Sequence, residues 1–323
     1  MAPTDARQTP PLSVVMPMRD AAAHVSEAVE SLLAQTFRDF ELLIFDDGST
    51  DGSREIVETF AKSDPRIRLF RGSPVGYAVW LREGVSRAKG ELLARMDADD
   101  VAHPERFARQ VEYFERHPEC VALGAQILIV DPERRPIQRR HAPLDHESID
   151  AALLRGRGDA LPHSAAMFRR RALLDVGNYR TDRLWHEDVD LFLRLAEVGR
   201  LANLPDVLLE YRRHPKAVGA AHRREQRSTL KRILTDAAAR RGLPAHETRI
   251  LPDLPSIRLE DLWHDWARGA LGGGHPATAR HYARLLFRAE PFSLRSWRLL
   301  VRAALGVSLN QLRRKDPPPA SPA

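Results

Sequence analysis

ELLIFDDGSTDGS, residues 41–53, joins a short apolar run to a dense group of turn-forming residues. Residues 41–45 have the length and composition of a buried strand. The aspartates, glycines and serines that follow favour a tight turn, and Asp51 or Ser53 is suited to cap a helix beyond it. This stretch therefore predicts a strand, a turn and a helix in succession.

The same alternation continues on both sides of this stretch. Residues 13–17 form a β-rich run that ends at a proline, and a helical pattern follows over residues 22–35. Downstream, residues 67–70 and 91–96 predict strands, with a helix over residues 79–88 between them. Alternating strands and helices are typical of a parallel sheet covered by helices. We therefore expect an α/β fold with a mostly parallel, Rossmann-like sheet.

The composition is that of a globular protein, with 43% hydrophobic and 29% charged residues. The net charge of +6 attracts nucleic acid, anionic membrane or phosphorylated small molecules without choosing among them. The single cysteine, Cys120, excludes an intrachain disulfide and a cysteine-built zinc site. No apolar stretch approaches the roughly 18–20 residues of a spanning helix, and the first residues lack the pattern of a secretory signal. We expect a cytoplasmic protein.

Beyond residue 100 the pattern is less regular. A helix fits residues 106–117, and an apolar run covers residues 121–130. The charged, proline-containing stretch 131–143 is expected to form an exposed loop. Residues 187–198 predict another helix and residues 204–211 another strand.

Beyond Pro215 helical patterns dominate, over residues 223–241, 259–271, 276–288 and 294–305. The last residues, KDPPPASPA, are a low-complexity sequence. We therefore divide the chain into a flexible N-terminus, an α/β domain, a C-terminal helical extension and a disordered tail, over residues 1–12, 13–220, 221–313 and 314–323.

The strongest chemical signal is DADD, residues 97–100, at the end of a predicted strand. Because side chains alternate along a strand, Asp97 and Asp99 would project on the same side, at the sheet edge where ligands bind. Two carboxylates in one cleft repel each other unless a cation joins them. Oxygen ligands suit Mg²⁺ or Mn²⁺, which would bridge to a diphosphate. Acidic residues that cap the helix near Pro104 would give the same pattern.

Three weaker signals also follow predicted strands or open a helix. In DDGS, residues 46–49, a carboxylate can accept hydrogen bonds from a nucleobase or ribose, or it can simply stabilise the turn. In HEDVD, residues 186–190, a carboxylate can act as a general base or as a partner of the helix dipole. Residues 212–214, Arg-Arg-His, offer phosphate donors and an imidazole ligand.

The order of these blocks points to one family. A strand-proline opening is followed by QTFRDFELLIFDDGSTDGS, MDADDVAHPERF, GNYR with HEDVDLFLRLAEVG, and LPDVLLEYRRHP. Over residues 13–215 this succession resembles the family 2 glycosyltransferases of the GT-A fold. The resemblance implies an inverting transfer of a sugar from a nucleotide-sugar to a hydroxyl acceptor. A glycan or lipid-linked acceptor in cell-envelope or exopolysaccharide synthesis is what the family makes plausible.

The resemblance also implies a donor site. By match, Asp47 binds the nucleobase of a UDP-sugar or another NDP-sugar, and Pro17 lines the same end of the pocket. Asp97 and Asp99 match the Asp-x-Asp pair at the donor, with Asp99 the principal ligand of Mn²⁺ or Mg²⁺ and Asp97 beside it. For His214 the family implies a further metal or diphosphate contact.

The same match gives the catalytic residue. Asp188 corresponds to the general base that deprotonates the acceptor hydroxyl. The family inverts the anomeric configuration in a single in-line displacement, so no covalent intermediate is implied.

This chain departs from the family pattern at one point. Between residues 76 and 91 many relatives carry an asparagine before a glycine, where this chain has LREG, residues 81–84. Arg82 is therefore expected to contact a donor phosphate, or the pocket has a different shape. The identity of the donor stays open.

Two other classes of protein compete with this interpretation. Nucleotidyltransferases usually carry a glycine-rich loop after the first strand, whereas residues 17–22 here, PMRDAA, contain no glycine. A catalytically silent glycan-binding or scaffold protein could share the fold. The intact set of acidic residues, Asp47, Asp97, Asp99 and Asp188, argues against that alternative.

A membrane partner is a further hypothesis. Arg223, Arg227 and Lys231 recur every four residues and would form a basic helical face. Such a face is either a solvated surface or a contact with anionic lipid or a lipid-linked acceptor at the inner face of the membrane. We expect no nucleic-acid partner.

Overall fold

The computed structural model describes residues 10–214, 223–244 and 258–306. The expected disordered tail lies outside these residues, as does most of the expected flexible N-terminus. Two compact units make up the chain. The first comprises Met1–Ile127, His141–Tyr211 and Ala221–Pro252, and the second comprises Leu128–Arg140, Arg212–Ala220 and Asp253–Ala323. The domain boundaries that we drew from the sequence stay a prediction.

The first part of the chain forms the parallel half of the sheet. Its strands are β1 (Leu12–Met18), β2 (Phe40–Asp46), β3 (Ile67–Arg71) and β4 (Leu92–Arg95). They are hydrogen-bonded in the order β3-β2-β1-β4, all parallel. The connecting helices are α1 (Val25–Leu33), α2 (Ser53–Ser63) and α3 (Tyr77–Arg87). The alternation predicted from the sequence is confirmed here.

The other half of the sheet contains antiparallel pairs that strand–helix alternation did not predict. Its strands are β5 (Val101–Ala102), β6 (Cys120–Val130), β7 (Pro136–Arg140), β8 (Met167–Arg169) and β9 (Arg200–Arg212). The order continues β4-β8-β6-β9-β5, with β7 paired to β6. Strand β8 is antiparallel to both β4 and β6, and β5 is antiparallel to β9.

The expectation of a loop over residues 131–143 was wrong in part. That stretch contains β7, whose Ile137 is only 2% exposed. One apolar residue among charged neighbours is too weak a pattern to predict a strand. Its burial comes from helices more than a hundred residues later in the chain.

Helices of the first unit cover both faces of the sheet. Those after β5 are α4 (Arg106–Arg116), α5 (His146–Leu153), α6 (Arg170–Asp175), α7 (Glu187–Leu195) and α8 (Arg223–Arg240). Alternate residues of β1 and β2 enter two separate cores, with Val14 and Ile44 in one and Val15 and Phe45 in the other. This is why both strands are buried along their whole length. On α8, Arg227 and Lys231 are exposed, and the side chain of Arg223 lies outside the described residues.

Gly84 allows α3 to pack closely on β1. A Cβ atom at this position would lie 2.4 Å from Val15 Cγ1. The residue that the family comparison singled out therefore has a packing role in this chain.

The second unit is built from α9 (Leu259–Gly272), α10 (Pro276–Ala289) and α11 (Leu294–Leu305), together with β7 and the end of β6. Its core includes Ile129, Ile137 and Trp266. Within this unit the buried carboxylate of Asp131 accepts a hydrogen bond from Tyr282 Oη at 2.7 Å and pairs with Arg135 at 2.9 Å. Nowhere in the described residues is a helix both long and apolar enough to cross a bilayer.

Candidate active site

The site lies at the carboxyl edge of the parallel strands. In the sheet register Met18 pairs with Asp46, and Val15 pairs with Arg95, the last residue of β4. The acidic residues after β2 and β4 therefore emerge on either side of the end of β1. Chain segments that follow parallel strands converge at this edge, which is where ligands bind in such sheets.

Asp46 and Asp47 have different partners. Asp46 is fully buried, accepts a hydrogen bond from Ser49 N at 2.9 Å and pairs with Arg54 Nε at 2.6 Å. It therefore stabilises the turn, which was one of the two interpretations of DDGS. Asp47 instead faces the segment that precedes α3, and a contact with the nucleobase stays a prediction for it.

The Asp47 carboxylate is held on one side only. Its Oδ1 accepts hydrogen bonds from Val75 N at 2.8 Å, Gly76 N at 3.1 Å and Trp80 Nε1 at 2.7 Å. Its Oδ2 lies 3.8 Å from Arg19 Nη1. Pro17 is buried in β1, one residue before the strand ends. Three donors on one oxygen fix the orientation of the carboxylate and direct the other oxygen towards Arg19.

Three aspartates form an acidic cluster after β4. Asp97, Asp99 and Asp100 each offer a carboxylate oxygen, and these oxygens all lie within 4.8 Å of one another. Asp100 is buried and accepts a hydrogen bond from the Ser164 hydroxyl. Oxygen atoms at this separation are the ligand set that Mg²⁺ or Mn²⁺ prefers.

Arg95 is the cation that the protein itself supplies to this cluster. Its side chain is buried, and its Nη1 and Nη2 donate to the two carboxylate oxygens of Asp97, each at 2.5 Å. Tyr77 Oη donates to the same carboxylate at 3.0 Å. A bidentate pair of this kind fixes both the position and the plane of the carboxylate.

Opposing effects act on the pKa of Asp97 in this cluster. Burial raises the pKa of Asp97, and the nearby Asp99 raises it further, while Arg95 lowers it. The net effect is a raised pKa, so one guanidinium does not compensate for the burial and repulsion of these carboxylates. The carboxylate oxygens present therefore fit a divalent cation, which would add positive charge beside Asp97.

Asp188 lies at the start of α7 in the same electrostatic field. Burial raises its pKa, and so does the charge of Asp97, whereas Arg95 and the backbone N–H of Val189 lower it. Its Oδ1 accepts that hydrogen bond at 2.7 Å. For Glu187, burial and then the neighbouring Asp188 raise the pKa to about 7. A carboxylate with a raised pKa is a stronger base than one in water.

Asp190, the third acidic residue of HEDVD, has a structural role. It is 1% exposed and pairs with Arg194 at 2.5 Å and with Arg180 at 3.3 Å. The motif therefore combines a buried ion pair with two carboxylates that face the site.

The loop before α7 is tightly anchored. Arg183 pairs with Asp236 of α8 at 2.9 Å, and Arg232 donates to the carbonyl of Asp182 at 3.3 Å. Trp185 nevertheless has a positive φ of 73° and a half-exposed side chain. A bulky residue in this conformation persists only where its surroundings impose it, and such positions cluster at functional sites.

The two remaining expected site residues are Arg82 and His214. Arg82 Nη1 donates to the carbonyls of Gly177 at 3.2 Å and Tyr179 at 2.9 Å, so its guanidinium ties α3 to the chain before α7. His214 is half-buried and belongs to the second unit. A phosphate contact by Arg82 and metal binding by His214 both stay predictions.

Sequence reasoning missed the residues that hold the acidic cluster. Arg95 was part of a predicted strand, and its position in an apolar run was the only signal that it needed a buried partner. Ser164 lies in the short 3₁₀ turn His163–Ala165, which no pattern indicated. Tyr211 is the last residue of β9 that belongs to the first unit. Burial raises the pKa of its hydroxyl most, and the negative charges of Asp97, Asp100 and Asp99 raise it further. The hydroxyl therefore lies in the electrostatic field of the acidic cluster.

Comparison with known proteins identifies the family of this chain. Residues 13–177 match the model of the family described as glycosyl transferase family 2. The amylovoran biosynthesis glycosyltransferase AmsE of Erwinia amylovora is 32% identical over 197 residues, which cover 60% of this chain and 72% of that protein.

Two solved structures share the fold. S. aureus TarS 1-349 in complex with UDP-GlcNAc has a TM-score of 0.58 at 14% identity, covering 91% of this chain and 87% of that one. The mannosyltransferase PcManGT from Pyrobaculum calidifontis, in complex with GDP-Man and Mn²⁺, has a TM-score of 0.51 at 20% identity, covering 96% of this chain and 89% of that one. The expected α/β fold of the GT-A type is confirmed, and with the family match this chain belongs to glycosyl transferase family 2.

Proposed function

We propose that this glycosyltransferase inverts the anomeric configuration and is metal-assisted. It transfers a sugar from a nucleoside diphosphate sugar to a hydroxyl of a glycan or lipid-linked acceptor, in cell-envelope or exopolysaccharide synthesis. The observation that carries the proposal is the acidic cluster at the sheet edge. The charge of Arg95 lowers the pKa of Asp97 in this cluster and also that of Asp188. AmsE is named for the biosynthesis of amylovoran. One structural neighbour is bound to UDP-GlcNAc and the other to GDP-Man and Mn²⁺. These relatives support the same class of reaction.

The donor side of this proposal uses the segments after β1, β2 and β4. Asp47, fixed through its Oδ1, presents Oδ2 to an N–H of the nucleobase, and Pro17 lines that end of the pocket. Asp97 and Asp99 hold the divalent ion, Mn²⁺ or Mg²⁺. When bound, the ion neutralises the charge that develops on the departing diphosphate.

The acceptor side uses Asp188. Its carboxylate accepts the proton of the acceptor hydroxyl as that oxygen attacks the anomeric carbon. One bond forms between the acceptor oxygen and the anomeric carbon, and the bond from that carbon to the diphosphate oxygen breaks. The electron pair of the broken bond leaves with the nucleoside diphosphate, so a single in-line displacement inverts the configuration.

Two aspartate variants separate these roles. Asp99→Asn is expected to abolish the Mn²⁺-dependent part of donor binding in calorimetry. Asp188→Asn is expected to leave donor binding nearly intact and to lower turnover by about 10²–10⁴-fold, the usual contribution of a general base. Asp39→Asn, on an exposed residue between α1 and β2, is the matched control.

A panel of nucleoside diphosphates and nucleotide-sugars serves to identify the donor. Each is added with and without Mn²⁺ while the melting temperature is recorded, since a ligand of the native state raises it. A shift that needs both one nucleotide-sugar and the metal supports the proposal. Metal-independent binding, or loss of binding in Asp188→Asn instead of Asp99→Asn, contradicts the assigned roles, and no donor binding at all favours a silent glycan-binding protein.

The location of the protein is also part of the proposal. A cytoplasmic enzyme that acts on a lipid-linked acceptor must reach the inner face of the membrane. The basic face expected on α8 is one candidate for that contact, with Arg227 and Lys231 exposed.

A further inference from the structure

Helix α11 presents an apolar stripe to solvent. Leu294, Trp297, Val301 and Leu305 are spaced by three, four and four residues, so they lie along one side of the helix. Leu294 is 73% exposed and Leu305 is 70% exposed, and the other two are about half exposed. Phe292, just before the helix, is 98% exposed.

The stripe is separate from the face that builds the core of the second unit. Ser296, Leu299 and Ala303 are the buried residues of α11, and at 100° per residue they lie opposite the stripe. A helix of a globular protein needs only one apolar face. The second apolar face is therefore unexplained by the packing of the second unit.

Arginines border the stripe. Arg298 and Arg302 follow Trp297 and Val301 by one residue each, and α11 contains no acidic residue. The third arginine, Arg295, already pairs with Glu290 at 2.9 Å. In the part of the chain that the structure describes, neither Arg298 nor Arg302 forms an ion pair.

The positive charge extends to α10. Phe287 of α10 packs edge-on against Trp297, with ring centroids 4.7 Å apart. Arg284 and Arg288, near Phe287 in the sequence of α10, are exposed, and no ion pair of the described residues involves them. The apolar stripe is therefore accompanied by four arginines without carboxylate partners.

We infer that α11 lies in the plane of an anionic bilayer surface, with its stripe inserted among the acyl chains. Such helices combine an apolar face of leucine, phenylalanine and tryptophan with arginines that reach the lipid phosphates. The arginine side chains extend from the helix flank to the headgroups while their methylene stems cover apolar surface. This surface belongs to the second unit, so the inference does not rest on the proposed reaction.

Vesicle flotation of the full chain tests the inference. We expect the protein to float with phosphatidylcholine vesicles that contain phosphatidylglycerol, and much less with phosphatidylcholine alone. Val301→Glu with Leu305→Glu removes two inserted side chains, which should weaken binding by roughly tenfold or more. Val198→Glu places one glutamate on an exposed valine of the first unit and should bind like the wild type, as a control for Val301→Glu alone.

Fluorescence gives a second measurement that needs no destabilising variant. Vesicles with brominated acyl chains should quench the emission of the wild type, and Trp297→Phe should remove that quenching while flotation persists. Arg298→Glu with Arg302→Glu should lower binding at low salt and make the remainder less sensitive to salt, since Arg284 and Arg288 are kept.

Three outcomes contradict the inference. One is the absence of binding to anionic vesicles, and another is equal loss of binding in Val198→Glu and in the α11 variant. The third is a dimer of the wild type, measured by light scattering, that Val301→Glu converts to a monomer. That last result would assign the stripe to a second copy of the chain.

Discussion

Removing the guanidinium of Arg95 should destabilise the first unit in a way that a divalent metal repairs. The perturbation is Arg95→Met, which keeps an unbranched apolar stem and deletes the guanidinium and its charge. The variant leaves the Asp97 carboxylate with the hydroxyl groups of Tyr77, at 3.0 Å, and of Ser164 as side-chain partners. The buried carboxylate then lacks its counter-charge.

The magnitude follows from the burial of the pair. Breaking a buried ion pair by removing one partner costs about 3–5 kcal/mol. The Asp97 side chain retains 24% exposure, which favours the lower end, about 3 kcal/mol. For a domain of this size each kcal/mol lowers the melting temperature by about 2–4 °C, so we expect a decrease of about 6–12 °C.

Differential scanning fluorimetry in EDTA and in Mn²⁺ measures the effect. A bound cation takes over part of the role of the guanidinium, so Mn²⁺ should recover more stability in the variant than in the wild type. In a double-mutant cycle, Arg95→Met with Asp97→Asn should cost less than the sum of the two single variants. Unchanged melting of Arg95→Met in EDTA, or strict additivity in the cycle, would refute the reasoning.

Three further predictions concern single side chains. The acid limb of kcat/KM should lie above the usual pKa range of an aspartate, because burial raises the pKa of Asp188 and the base is protonated as the pH falls. Glu187→Gln should move that limb to lower pH by removing a neighbouring negative charge; an unmoved limb in the pH–rate profile would contradict the coupling. Gly84→Ala forces a methyl group against a valine of β1 and should cost about 1–3 kcal/mol in urea unfolding, and a neutral result would show that α3 can shift. Trp80→Phe removes one donor from Asp47 and should weaken nucleotide binding in calorimetry about tenfold with little change in turnover, whereas a turnover defect at full affinity would contradict a donor-side role.

The parallel half of the fold could be predicted because its strands are short runs rich in apolar residues that alternate with helical patterns. In the antiparallel half the strand over residues 204–211 was predicted and lies within β9. Strands β8 and β7 could not be predicted, because β8 has only three residues and β7 has one buried apolar side chain. Their strand structure depends on partners that are distant in sequence. Local pattern carries no information about such partners.

The candidate site shows the same division. Asp97, Asp99 and Asp188 stand out as acidic residues at strand or helix ends, so sequence motifs find them. Arg95 pairs with Asp97, and the Ser164 hydroxyl donates to Asp100. Only folding of the chain brings these partners together. Motifs identify the groups that face a ligand, whereas the groups that orient them are found by tracing buried hydrogen bonds.

The second unit is assembled from stretches that lie far apart in the chain, so premature termination of translation would leave it incomplete. Residues 128–140 contribute Ile129 and Ile137 to a core whose other members come after residue 258. A chain that ends before α9 would leave both isoleucines in water and would deprive Asp131 of the Tyr282 hydroxyl. Such a product would contain the catalytic motifs but would expose apolar side chains of β6 and β7. Cellular quality control should therefore remove prematurely terminated forms of this protein before they can act.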